Sequence, residues 1–197
     1  KLIQRTGRPD EAAPLLAEAL RLAEQKLGPD HPTSLALMDN VASALADAGR
    51  FEEAEVMART VLAKSRSLLG EDHPDTLEAT DLVARILVES GSAADAEPFA
   101  ADVLSKSKNI LGEDHPSTIM RMNRYALVLA ILGQSLQAET LYERAIASNR
   151  KVLGNDHPEV QIGLTNLAYA RLEVPARSTL AIDAAREVVS DMRRDSR

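Results

Sequence analysis

Cysteine and tryptophan are absent from the 197 residues, and aromatic residues make up 3% of them. Without cysteine there is no disulfide and no thiolate metal site, which fits a reducing, cytoplasmic setting. With so few aromatics, any core has to be built from alanine and branched aliphatic side chains. Long apolar runs are lacking as well. The longest, Tyr125 to Leu132, is flanked by Arg124 and Gly133 and falls far short of the roughly 20 residues that cross a bilayer. Positive charge is in deficit, with 23 Lys and Arg against 30 Asp and Glu and a net charge of −7, so phosphate backbones and anionic membranes are repelled. Neither nucleic acid nor membrane is an expected partner. No GxSxG, HExxH, GxxxxGK[ST] or cysteine nucleophile occurs, so neither an enzyme nor a cofactor is expected. The opening KLIQRTGRPDEAAP has no apolar signal core and no initiator methionine, and reads as an excerpt from a longer chain.

What is present is one hexapeptide, four times: LGPDHP from Leu27, LGEDHP from Leu69, LGEDHP from Leu111 and LGNDHP from Leu153, in steps of 42 residues without insertion or deletion. A period of this size marks a solenoid of stacked repeats. Between copies lie two helix-length segments divided by Gly49, Gly91 or Gly133, so the unit is a helical hairpin. The domain reading is a single array over 1–197: a partial repeat at 1–26, repeats at 27–68, 69–110 and 111–152, and an atypical terminal repeat at 153–197. In the first full repeat Leu35, Met38, Val41, Ala42 and Leu45 share one face of a helix from about Pro32 to Ala48. A second helix, Phe51 to Leu68, turns Ala54, Met57, Ala58, Val61, Leu62 and Leu68 inward. Ala42, Ala84, Ala126 and Ala168 share one register, and Ala12, Ala54, Ala96 and Ala138 another, where closely crossing helices need small side chains. In the last repeat Pro175 replaces the turn glycine, Ala181 implies one inserted residue, Arg171 stands in place of Leu45, Leu87 and Leu129, and a final helix is expected at about Arg177 to Arg194.

All four histidines, His31, His73, His115 and His157, lie in the hexapeptide beside Asp30, Asp72, Asp114 and Asp156. Metal ligands or acid/base pairs are conceivable, but equivalent positions in a stack form a row and do not converge on one ion or reacting atom. A connector explains every residue. The glycine takes the left-handed conformation that ends a helix, and the proline opens the next one. Aspartate or histidine just before it accepts from the first free amides, and the leading leucine packs back under the turn. No metal is expected.

A hairpin with alanine at both crossings and glycine in its turn resembles the tetratricopeptide repeat. The 42-residue length, the LGxDHP connector and stretches such as GRFEEAEVMARTVLAKSRSLLGEDHPDTL are similar to the kinesin-light-chain class, with Ala93 and Ser135 departing where the family favours an aromatic. The resemblance implies an all-α, right-handed superhelix of about nine helices, whose first helices line a concave groove that holds a partner peptide or helix. Asn40 and Asn166 match the family's peptide-binding asparagine, while the equivalent places hold Leu82 and Arg124. One position earlier stand Asp39, Asp81, Asn123 and Thr165. One turn later stand Ser43, Arg85, Leu127 and Tyr169. The groove candidates are therefore Asp39, Asn40, Asp81, Arg85, Asn123, Arg124, Leu127, Asn166 and Tyr169, against the reading that polar residues there merely solvate a helix. By charge the groove is acidic in its first two repeats and apolar around Met120, Leu127 and Ile131. The expected partner carries basic residues facing Asp39 and Asp81 and an apolar anchor near Leu127, its backbone held by Asn40, Asn123 and Asn166. The function this implies is a non-catalytic protein-protein interaction scaffold. The alternative is a sensor or regulatory arm of a larger signalling ATPase with an upstream nucleotide-binding domain, in which case the partner is another part of the same parent chain.

Overall fold

The structure, a computed structural model, describes residues 9–172, and its regular elements there are all helices. They are α1 (Pro9–Leu27), α2 (Pro32–Asp47), α3 (Phe51–Leu69), α4 (Pro74–Glu89), α5 (Ala93–Leu111), α6 (Pro116–Ile131), α7 (Ser135–Leu153) and α8 (Pro158–Leu172). The helix expected at about Arg177 to Arg194, the insertion read from Pro175 and Ala181, and the last turn of a lost helix at Lys1 to Thr6 lie outside the described residues. By contact the chain falls into two compact units, Lys1–Phe99 and Ala100–Arg197, with the boundary inside α5. In the first unit α1 packs on α2, α2 on α3 and α3 on α4, and α2 also touches α4. In the second, α6 packs on α7 and α7 on α8, and α6 also touches α8. Connections of a few residues make successive helices antiparallel.

The hairpin turn and the connector use glycine differently. At the turn, Gly49 lies at φ +75; its amide donates to the Ala46 carbonyl at 2.8 Å and the Arg50 amide to the Leu45 carbonyl at 2.9 Å. That pair of bonds is a Schellman cap, and it satisfies carbonyls the ending helix leaves open. The same pair recurs at Gly91 and Gly133. In the connector, Gly70 has φ 92 and ψ 167, an extended glycine-only conformation and not the left-handed helical one expected. The cause is geometric, because here the chain must straighten toward the next helix. The Gly70 carbonyl then accepts from Thr76 Oγ1 at 2.7 Å, as the Gly28 carbonyl accepts from Ser34 Oγ at 2.7 Å.

Of the two candidate caps, histidine is the one used. His31, His73, His115 and His157 each accept at Nδ1 from the amide two residues on, at 3.1 to 3.2 Å. The aspartates look elsewhere: Asp30 pairs with Lys64 at 2.8 Å, while Asp114 accepts from Ser148 Oγ at 2.8 Å and from Lys151. A connector is thereby tied to the second helix of the hairpin that follows it. The leading leucine packs beneath the turn only in part: Leu111 is half-buried, but Leu27 is 50% exposed and Leu153 42%. Leu68, expected inward, is also 50% exposed. It lines the mouth of a cavity between the end of this helix and its neighbours.

The core is aliphatic and small, as the composition requires. Ala42, Ala84 and Ala126 of the first helices and Ala54, Ala96 and Ala138 of the second are fully buried. In the second unit Ala126, Leu129, Tyr142, Ile146, Val160 and Leu164 form one cluster, and Leu104, Ile119, Met122 and Ala145 another. Tyr142 sits deep enough that burial pushes its phenol up to about 12. Arg171, in the leucine register, is kept in the α7–α8 packing by a fork to Glu139 at 3.0 and 2.9 Å and a bond to Glu143 at 2.6 Å.

Candidate functional site

The face carried by the first helices is described unit by unit. In the first unit it is formed by α2 and α4. Arg85 of α4 donates from Nη2 to Ser43 Oγ at 2.8 Å and from Nη1 to Asp47 Oδ1 at 3.1 Å and Glu89 Oε1 at 3.4 Å. Ser43 and Arg85 are 42 residues apart, so equivalent positions on successive first helices are neighbours. The consequence is that Arg85 staples α2 to α4 and is not a free cation for a partner.

Asp39 and Asn40 are half-buried. Asn40 donates Nδ2 to its own helix at the Ala36 carbonyl, 2.7 Å away, which leaves its amide oxygen as the group to offer a ligand. Asp39 Oδ1 is shut off from solvent and has no hydrogen-bond partner. Burial is the main reason its carboxyl is pushed up to about 6; Glu78, Asp75 and Asp81 add repulsion, and Arg85 opposes them. Asp81, expected to face a partner's basic residue, is 4% exposed and already has a partner within the protein. Position 81 points inward because its register lies between the helices, a fact that spacing along one helix does not reveal.

In the second unit the corresponding face is formed by α6 and α8, and it is apolar and open. Met120 is 44% exposed, Leu127 43% and Ile131 54% on α6; Ile162 is 51% and Tyr169 67% on α8. By the 42-residue register seen at Ser43 and Arg85, Met120 adjoins Ile162 and Leu127 adjoins Tyr169. Asn123, Arg124 and Asn166 are half-buried alongside. Asn123 Oδ1 is buried without a partner, whereas Arg124 is engaged within the protein. Ile162 was not among the residues named from sequence, although its register with Met120 was available to find it. No helix among the described residues is long and apolar enough to cross a membrane, and none of their His, Asp and Glu side chains group in threes able to hold a metal ion.

Comparison with known proteins agrees with this architecture. A tetratricopeptide-repeat model matches residues 1–67 and 34–109, and a second of the same description matches 118–159. Two crystal structures of a Podosopora anserina protein with nearly identical, TPR-like repeats of kinesin-light-chain type superpose well. One has TM-score 0.85 at 24% identity over 98% of this chain and 91% of that one; the other has 0.83 at 25% over 99% and 92%. BtubC (BKLC) from P. vanneervenii gives 0.79 at 18% identity over 98% of this chain and 77% of its own. Among curated proteins nothing matches the chain. Repeat models that match residues 1–109 and 118–159, the LGxDHP connector and these structural neighbours together place the chain in the tetratricopeptide-repeat family, as an array of the kinesin-light-chain class.

Proposed function

We propose that this protein-interaction scaffold, which carries out no catalysis, takes a partner peptide or helix on the face of its first helices, with α6 and α8 as the anchor. The observation that carries the reading is the row Met120, Leu127, Ile131, Ile162 and Tyr169, each 43% to 67% exposed, on first helices α6 and α8, whereas the first helices α2 and α4 carry no exposed large apolar side chain. Side chains of this size left in water gain about 1.5–3 kcal/mol each on full burial, more than exposed charge pairs contribute. Asn123 and Asn166 flank the row as hydrogen-bonding groups for the partner's backbone, with Asn40 offering its oxygen in the first unit. Asp39 orients basic residues of the partner there.

The test is capture of partners from a lysate on the chain, followed by affinity measurements on the identified protein. Leu127→Ala and Tyr169→Ala are expected to weaken binding by about tenfold or more each. Unchanged affinity in both places the partner on the opposite face. Capture limited to an upstream domain of the parent protein supports the regulatory-arm reading.

A further inference from the structure

A cavity of ≈ 460 Å³ opens in the first unit between α2, the end of α3 and the start of α4. Its walls are apolar at Leu35, Val61 and Leu69 and acidic at Asp39, Asp75 and Glu78, and no basic side chain lines it. One polar group in it lacks a partner. Asp39 Oδ1 is buried and unbonded. Ser65, 1% exposed, adds a hydroxyl to the same wall.

The second unit holds a guanidinium against the equivalent serine. Forty-two residues after Ser65 stands Ser107, whose hydroxyl accepts from Arg121 Nη1 at 2.8 Å. Arg121 is itself 1% exposed, a guanidinium enclosed in the second unit. Forty-two residues before Arg121 stands Ala79. Where the second unit builds a buried guanidinium beside its serine, the first has a methyl group and an open cavity with carboxylates on its wall.

We infer that the Ser65–Asp39 cavity is a receptor for a guanidinium, taking the side chain of an arginine presented by the partner segment. The inference rests on the reading that a partner docks on the first-helix face, and it names one residue type that partner carries. A guanidinium suits the site better than an ammonium. It is planar and weakly hydrated, so its plane and methylenes tolerate the Leu35, Val61 and Leu69 walls, and its fixed fork can donate to Asp39 and to Ser65 together. An unpaired carboxylate oxygen in such a place is a standing penalty that a cationic donor removes.

The experiment is an NMR titration of the full chain with N-acetyl-arginine amide, using N-acetyl-citrulline amide as the neutral isostere. Saturable shifts are expected at Leu35, Asp39 and Ser65, with the citrulline probe at least about tenfold weaker. Asp39→Asn and Ser65→Ala should each weaken the arginine probe, and Leu136→Ala, at an exposed position on α7, should leave it unchanged. Absence of shifts at these residues overturns the inference, as does equal binding of the citrulline probe or undiminished binding in Asp39→Asn. The two readings fail separately: a partner indifferent to Leu127 and Tyr169 sinks the anchor but not this titration.

Discussion

At the scale of single residues, the connector glycine and the groove aspartate make opposite demands. Gly112 lies at φ +88 with open space where a Cβ would stand, so a substitution there meets backbone strain alone. Gly112→Val is expected to destabilise by about 1 kcal/mol or more, read as a lower Tm by circular dichroism; an unchanged Tm contradicts the role given to this glycine. Asp39 behaves differently because its folded carboxyl, pushed up to about 6, binds a proton more tightly than the unfolded chain does. The folded state therefore loses stability as pH rises from the ordinary carboxylate range through 6. Asp39→Asn is expected to be more stable than the parent at pH 7, by about 3 kcal/mol from the size of the shift, and to match it near pH 4. Urea unfolding of both proteins at the two pH values checks this, and a stabilisation independent of pH would contradict the burial argument.

At the scale of the helix, each first helix starts on a proline with histidine as its cap. His115→Ala removes the acceptor for the Ser117 amide, 3.2 Å away, and is expected to lower stability by about 0.5–2 kcal/mol, while His115→Asn restores most of it because asparagine is among the strongest cap residues. Equal melting of the two variants would show that the cap contributes nothing. The second helices depend on close crossing. Ala138 is fully buried in the cluster with Ala126, Tyr142 and Leu164, so Ala138→Leu is expected to cost about 1–3 kcal/mol through overpacking, measured by denaturant midpoint. Helix positions were legible in the sequence because the 42-residue period repeats both the apolar stripe and its terminators. The exposure of Leu27, Leu68 and Leu153 was not, since a stripe says which residues share a face and not where the neighbouring helix stops.

At the scale of the whole molecule, repetition supplies equivalent surface positions in each unit whose chemistry differs: acidic and partly enclosed around Asp39 in the first, apolar and open around Leu127 and Tyr169 in the second. Partner binding is thus expected to depend mainly on apolar burial, with Leu127→Ala more damaging than Asp39→Ala. Added salt should weaken it only modestly, since exposed pairs contribute about 0–1 kcal/mol each. A steep salt dependence with an indifferent Leu127 would reverse that order.

The sequence alone determined the helical hairpin, its 42-residue step, the alanines at the crossings and the chemistry of the exposed row, because each of these is a local or periodic property of the chain. Tertiary structure decided which polar residues remain available. Arg85 is taken by Ser43 and Asp47, Asp81 is turned inward, the connector aspartates are bound to lysines 34 and 37 residues away, and Arg171 is held by Glu139. These outcomes depend on residues far apart in sequence that meet only when the helices stack. The same is true of the cavity beside Ser65, whose walls are brought together from α2, the end of α3 and the start of α4.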